Sequence, residues 1–320
     1  MRRTDIGIDI LQKGYERNKV RQMEKILVII VTYNGMEWME RCLDSVFNST
    51  LPADVFIVDN GSNDGTQEYI RNYGKGIIFR QSEENLGFGR ANNIGLQHAV
   101  DNGYDYAYLL NQDAWIEKDT LEILIKTHKA HPEYGILSPI QIQANGAHMD
   151  KNFLNGVASR CVEGNFMEDL YFGTVKDVYE VKDVMAAHWL MSKECLYKAG
   201  GFSPTFAHYG EDNNYVDRVE YHKLKTGFVP ATTAVHDREN RKDSLGDPQR
   251  RINIITLVET SDVTRHVPWF RLALRYLQYI YKYRTLKHFK SLFYCIKNSS
   301  MIKENREASR KEGAFLNFKD

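Results

Sequence analysis

Asp113 closes the run Tyr106-Ala-Tyr-Leu-Leu-Asn-Gln-Asp113, in which apolar residues stop abruptly and a carboxylate follows. Such a run reads as a buried strand, and residues just past the carboxyl end of a strand in an open α/β sheet are where ligands usually bind. Asp113 is therefore placed to hold a metal ion or a polar ligand; a polar residue that starts a turn is the plain alternative. Asp59 repeats the design, ending Val55-Phe-Ile-Val-Asp59 ahead of Asn60-Gly-Ser-Asn-Asp-Gly65. Its carboxylate is suited to accept hydrogen bonds from a ribose hydroxyl or a base N–H. The glycines and short polar residues behind it favour a tight turn and then a helix start. A third run, Lys25-Ile-Leu-Val-Ile-Ile-Val-Thr-Tyr-Asn34, stops in the same way. Three polar clusters are thus expected to share one edge of the sheet.

The elements that must position these residues alternate strand and helix through roughly the first 140 residues. Strand Ile26–Thr32 leads to a helix near Met36–Asn48, Val55–Asp59 to one near Gly65–Tyr73, Ile77–Gln81 to one near Gly87–Asn102, and Tyr106–Leu110 to one near Lys118–His131. Repetition of this unit predicts an α/β class, a Rossmann-like, mainly parallel sheet flanked by helices on both faces. A strand near Tyr134–Ile142 and an irregular, Gly-bearing insertion to about Asp183 follow. Regularity returns with strand Val184–Met191, helices near Lys193–Ala199 and Glu211–Leu224, and strand Thr226–Val235. The expected organisation is a charged N-terminal extension (1–24), an α/β domain (25–240) with halves at about 25–142 and 184–240, and a C-terminal helical region (241–320).

Composition narrows the function classes. Within 320 residues, 42 Lys+Arg balance 42 Asp+Glu, so no global charge points to nucleic acid. With 42% hydrophobic residues there is enough apolar surface for a core. Cys42, Cys161, Cys195 and Cys295 stand apart without metal-type spacing and read as reduced thiols of a cytoplasmic protein. Neither a signal-type leader nor an apolar run of membrane-spanning length is apparent.

Taken together, Val31-Thr-Tyr-Asn34, Val58-Asp-Asn-Gly-Ser62, Asn85-Leu-Gly-Phe-Gly-Arg-Ala-Asn-Asn-Ile-Gly95, Leu110-Asn-Gln-Asp113, and Gly200-Gly-Phe202 with Tyr209-Gly-Glu-Asp212 resemble the ordered motifs of the family-2 glycosyltransferases. The Asn-Leu-Gly-Phe…Ala-Asn-Asn-Ile-Gly segment most resembles the rhamnosyltransferase-like branch. The resemblance spans Lys25 to about His236. It implies a GT-A fold, a nucleotide-sugar donor with dTDP or UDP, a divalent cation (Mn²⁺ or Mg²⁺), inversion at the anomeric carbon, and a saccharide or lipid-linked saccharide acceptor in cell-surface polysaccharide synthesis.

By the same resemblance, Asp113 and His236 of Ala234-Val-His-Asp-Arg238 are metal ligands. The family's usual acidic residue two positions before Asp113 is here Asn111, which leaves Asn111 for the ribose or diphosphate. Asp212 is implied as the general base that deprotonates the acceptor hydroxyl, with Glu211 bonding acceptor or backbone. A pair of acids favoured by the helix dipole is the structural alternative for both. Donor recognition is expected at Thr32, Tyr33, Asn34, Asp59, Asn60, Asn85, Gly87, Arg90, Asn93, Asn111 and Gln112. Tyr33 would stack on a pyrimidine and Arg90 would meet phosphate. His188 and Trp189 lie where the family places acceptor-site and sugar-site residues.

The tail is different in kind. No Asp or Glu occurs from Thr264 to Lys303, where Arg265, Arg271, Arg275, Lys282, Arg284, Lys287, Lys290 and Lys297 intersperse with Trp269, Phe270, Tyr276, Tyr279, Tyr281, Phe289, Phe293 and Tyr294. Such a helical stretch suits an anionic membrane surface at the inner face of the cell membrane; packing on the catalytic domain or in a homodimer is the alternative. Two other classes of function compete. A sugar-phosphate nucleotidyltransferase would carry a basic Gly-rich loop after the first strand, whereas Thr32-Tyr-Asn-Gly-Met-Glu37 has no basic residue. A non-catalytic nucleotide- or carbohydrate-binding protein would have no need of Asp113, Asp212 and His236 together.

Overall fold

The computed structural model describes residues 24–74, 76–238, 248–265, 267–284 and 288–318. The first 23 residues of the charged extension and Lys287 lie outside them. Strands β1 (Ile26–Thr32), β2 (Asp54–Asp59), β3 (Ile77–Gln81) and β4 (Tyr106–Asn111) are the four apolar runs of the first half. They lie parallel in the order β3-β2-β1-β4. Residues Ile26–Ile30, Val55–Val58 and Tyr106–Leu110 are buried, because helices cover both faces and leave no side of the strand for water.

Register carries the polar ends to one edge. Thr32 stands opposite Asp59, and Val31 opposite Asn111. The expected sharing of one edge by three polar clusters is what the strand pairing produces. The chain runs outward from β1 to β2 and β3 and then crosses back to β4 on the other side of β1, and such a switch point is where open α/β sheets bind ligands.

Beyond β4 the sheet becomes mixed. β5 (Ala114–Ile116), β6 (Tyr134–Ile142), β7 (Tyr179–Glu180), β8 (His188–Ser192) and β9 (Lys225–His236) continue it in the order β4-β8-β6-β9-β5, with β7 on β9. The three-residue β5 pairs antiparallel with β9 and sets Ala114 opposite His236. One face of the sheet packs on α1 (Met36–Phe47), α2 (Thr66–Asn72) and α4 (Thr120–Ala130). The other packs on α3 (Phe88–Asp101), α6 (Lys193–Ala199) and α7 (Glu211–Tyr221).

The insertion is more regular than its composition predicts. It holds a π-helical turn at Phe153–Ala158 and helix α5 (Phe166–Phe172), capped by the Asn165 side chain on the backbone N–H of Met167. Phe153, Phe166, Tyr179 and Phe228 contact one another through their rings. The strand expected to start at Val184 begins instead at His188.

Helices α8 (Pro248–Ser261), α9 (Trp269–Tyr283), α10 (His288–Lys297) and α11 (Ser299–Ala308) follow. The chain then returns to the sheet domain. Gly201 donates its backbone N–H to Ala314 O at 2.8 Å, and Asn317 and Gln97 exchange two hydrogen bonds of 2.7 Å each. A Cβ on Gly200 would sit 2.0 Å from Ala314 O, so only glycine lets this segment pass. All four cysteines are free. Among the described residues no helix is long and apolar enough to cross a membrane.

Candidate active site

The loops after β1 and β2 are stitched together by side chains. Thr32 Oγ1 donates to Asp59 Oδ2 at 2.8 Å. Asn34, at φ +49°, donates its N–H to Ser62 Oγ at 2.8 Å and accepts from Asn63 N at 2.9 Å. Gly35 N donates to Thr66 Oγ1, and Met36 N to Asp64 Oδ2, each at 3.0 Å. Asp59 is the hub of this network. Besides Thr32, its carboxylate accepts from Gly61 N at 3.1 Å, Ser62 N at 2.9 Å, Gln67 Nε2 at 2.8 Å, and Ser62 Oγ. With five donors on it and no exposed surface, the carboxylate faces its own loop, which corrects the reading that it is open to a base or ribose.

Gln112 is also turned inward. Its Oε1 accepts from Tyr33 N at 2.7 Å and its Nε2 donates to Tyr33 O at 3.1 Å, bracing the backbone of the exposed Tyr33. A Cβ on Gly35 would lie 2.3 Å from that same Oε1. Asn111 and Asn60 are less committed. Asn111 sits half-buried at the strand end, and Asn60 Nδ2 reaches Gly87 O at 3.5 Å.

The start of α3 joins this edge to the second half of the chain. Asn85 Oδ1 accepts from Gly87 N at 2.9 Å. Gly87 adopts φ +79°, and a Cβ there would lie 2.3 Å from Ala207 O. Asn93, expected at the donor, instead clamps Phe202: Nδ2 donates to Phe202 O at 2.9 Å and Oδ1 accepts from Phe202 N at 2.6 Å. Arg90 is exposed, its Nε on Leu86 O at 2.9 Å.

Asp113 lies in the turn between β4 and β5, fully buried. The β5–β9 pairing brings His236 beside it, with His236 Nε2 3.8 Å from Asp113 Oδ2. Asp237 N donates to Asp113 O at 2.8 Å, and Trp38 Nε1 of α1 donates to Asp237 Oδ2 at 3.1 Å, so helix and strand hold the pair from two sides. A carboxylate and an imidazole facing each other form a donor set that fits a divalent cation, with Mn²⁺ accepting the nitrogen more readily than Mg²⁺. Among the described residues no group of three or more His, Cys, Asp and Glu gathers as a cage. The remaining coordination positions would therefore fall to ligand oxygens.

Glu211 and Asp212 open α7 after the left-handed pair Tyr209 (φ +71°) and Gly210 (φ +90°). Glu211 is buried, and its Oε2 has no hydrogen-bond partner among the described residues. Burial, then the Asp212 charge, pushes its pKa up to about 8. Burial and the Asp183 carboxylate raise Asp212 to about 6, while Arg238 pulls it back. Two adjacent acids thus differ in protonation near neutrality. Arg238 follows His236 by two residues, and its Nε pairs with Asp150 Oδ2 at 3.1 Å. The sequence reading missed Arg238; a cation two residues past a metal-type histidine was the available signal.

His188 and Trp189, expected at the acceptor, belong to the core. Both are fully buried. His188 Nε2 donates to Val235 O and Nδ1 accepts from Tyr108 OH, each at 2.9 Å. Burial lowers its pKa to about 4, which keeps the ring neutral. Trp189 stacks on Phe202 at 6.1 Å. With both ring nitrogens of His188 engaged, neither residue is open to a ligand.

Residues 27–197 match the model of glycosyl transferase family 2. The chain is 26% identical over 275 residues to the N-acetylglucosaminyl-diphospho-decaprenol L-rhamnosyltransferase of Mycobacterium tuberculosis, covering 78% of this chain and 87% of that one. It is 38% identical over 102 residues to the abequosyltransferase RfbV of Salmonella typhimurium, covering 30% of each. The shorter curated matches of this kind span 15 to 30% of the relative's length. Among solved structures, the mannosyltransferase PcManGT from Pyrobaculum calidifontis, in complex with GDP-Man and Mn²⁺, superposes with a TM-score of 0.52 at 17% identity, over 95% of this chain and 82% of that one. The shared architecture is the GT-A fold.

Proposed function

Because the chain belongs to glycosyl transferase family 2, we propose that it moves a sugar from a dTDP- or UDP-sugar, a rhamnosyl donor foremost, to a saccharide or lipid-linked saccharide acceptor, with inversion, in cell-surface polysaccharide synthesis. The observation that carries the reading is the buried Asp113–His236 pair, 3.8 Å apart, at the sheet edge where Tyr33 is exposed. Similarity to the rhamnosyltransferase over most of the chain supports the donor and acceptor classes.

In this reading the acceptor oxygen attacks the anomeric carbon from the side opposite the diphosphate. The bond from that carbon to the diphosphate oxygen breaks, and the electron pair leaves with the nucleoside diphosphate. Asp212, ionised above about pH 6, takes the hydroxyl proton. Glu211, still protonated near neutrality, donates a hydrogen bond to the acceptor. Tyr33 stacks on the base. Asn34, Asn60 and Asn111 bond ribose or diphosphate, and Arg90 meets phosphate. Gly87 lets the Ala207 carbonyl pack against the start of α3 and so shapes the donor edge, with Asn85 fixing its turn. Thr32, Asp59, Gln112 and Asn93 act by holding those groups in place. Asp113 and His236 would hold Mn²⁺ or Mg²⁺, which when bound offsets the charge on the departing diphosphate.

The test is a thermal-shift and donor-hydrolysis panel of nucleotide sugars with and without Mn²⁺, on wild type and Asp113→Ala. Metal-dependent stabilisation by one donor, lost in the variant, is expected. A donor that stabilises both proteins equally without metal would overturn the assignment.

A further inference from the structure

Helix α9 has two apolar faces. Leu272 and Tyr276 turn inward and pack with Leu292 of α10 and Ile252 of α8. On the opposite side Phe270, Leu274, Leu277 and Tyr281 recur at i, i+4, i+7 and i+11, exposed by 63, 56, 52 and 82%. Helix α10 repeats this, with Phe289, Phe293 and Ile296 at i, i+4 and i+7 exposed by 43, 67 and 53%. A surface helix with only one packed face would be polar there. A continuous exposed apolar stripe of this kind marks an interaction surface.

Charge selects the partner. Neither helix contains Asp or Glu, and Arg271, Lys282, Lys290 and Lys297 flank the stripes. Arg275 is paired with Glu259 of α8. A two-fold dimer through this face would set the cations of one copy against those of the other. An anionic bilayer supplies the opposite sign together with an apolar layer for the aromatic and leucine side chains. Since no described helix is fit to cross a membrane, the face would lie in the interface plane.

We propose that the outer face of α9 and α10 docks on an anionic phospholipid surface. Tyr294 of α10 also lines a groove of about 170 Å³ with Thr205–Tyr209, Arg250 and Asn253. Tyr209, two residues before Glu211, and Tyr294 thus border the same groove, so α10 and the segment leading into α7 share one surface.

The experiment is co-sedimentation of the full chain with phosphatidylglycerol–phosphatidylcholine vesicles and with phosphatidylcholine alone. Wild type is expected to bind the anionic vesicles, less so at high salt. Leu274→Ser with Tyr281→Ser should abolish binding, and Lys290→Gln with Lys297→Gln should weaken it about fivefold for each charge removed. All these side chains are exposed, and unchanged circular-dichroism melts would show that the variants fold. No binding to anionic vesicles, or variants that bind like wild type, would overturn the proposal. A dimer that Leu274→Ser dissolves, with no vesicle binding, would overturn it in favour of a second copy.

Discussion

His236 Nε2 stands 3.8 Å from Asp113 Oδ2 although 123 positions separate them in the chain. The three-residue β5 makes this meeting, because its antiparallel pairing sets Ala114 opposite His236. As joint ligands of one cation, the two side chains would act as a unit.

Removal of either member should weaken cation binding. His236→Ala is expected to raise the Mn²⁺ concentration for half-maximal transfer at least about tenfold, as loss of even an outer-shell partner commonly does. Calorimetric Mn²⁺ titration of the protein with donor checks this, and a titration identical to wild type would refute the ligand role.

Asp212→Asn should lower kcat by about 10²–10⁴ while donor affinity stays at the wild-type level. In wild type the base must be ionised, so the rate should rise through the Asp212 pKa of about 6. Transfer at pH 5 is then expected to be about tenfold slower than at pH 7. A profile flat across that interval, or full turnover in the variant, removes Asp212 from the base role.

Glu211 has a raised pKa in the folded state, about 8 against an ordinary 4.5. The folded protein therefore holds a proton that the unfolded chain releases, and the advantage, complete below about pH 4.5, is lost as pH climbs to about 8. Glu211→Gln should match wild type in Tm near pH 4.5 and exceed it by at least about 2 °C at pH 8–9. Equal melting temperatures at both pH values would show that the carboxyl is not desolvated.

Asp59→Ala should act first on stability. It strands the donors of Thr32, Gly61, Ser62 and Gln67, at a cost of at least about 2 kcal/mol. A Tm lower by about 4 °C or more, together with a higher donor KM, is expected. Unchanged Tm with a raised KM would return Asp59 to direct donor contact.

Much of the frame was legible in the sequence. The runs ending at Thr32, Asp59 and Asn111 are continuous and apolar because parallel strands between two helical layers have no polar face, and polar residues begin where the sheet ends. The motifs placed along those runs carried the family. β5 was invisible, since three residues give no period, and the regularity of the insertion depends on ring contacts among Phe153, Phe166, Tyr179 and Phe228 that no local pattern records.

Residue types could nominate polar side chains but not say which way they turn. Asp59, Asn93, Gln112 and His188 have groups suited to chemistry, yet each turns them to a neighbouring loop or strand, because a buried polar group must find its partner within the protein. Arg238 and Asp150, far apart in sequence, pair across the site. The sequence by itself determined the fold class, the family and the edge of the sheet at which chemistry is possible, since periodicity and strand ends are local. Tertiary structure decided which side chains at that edge face a ligand and which serve as braces, because burial and partner distance exist only once the strands are paired.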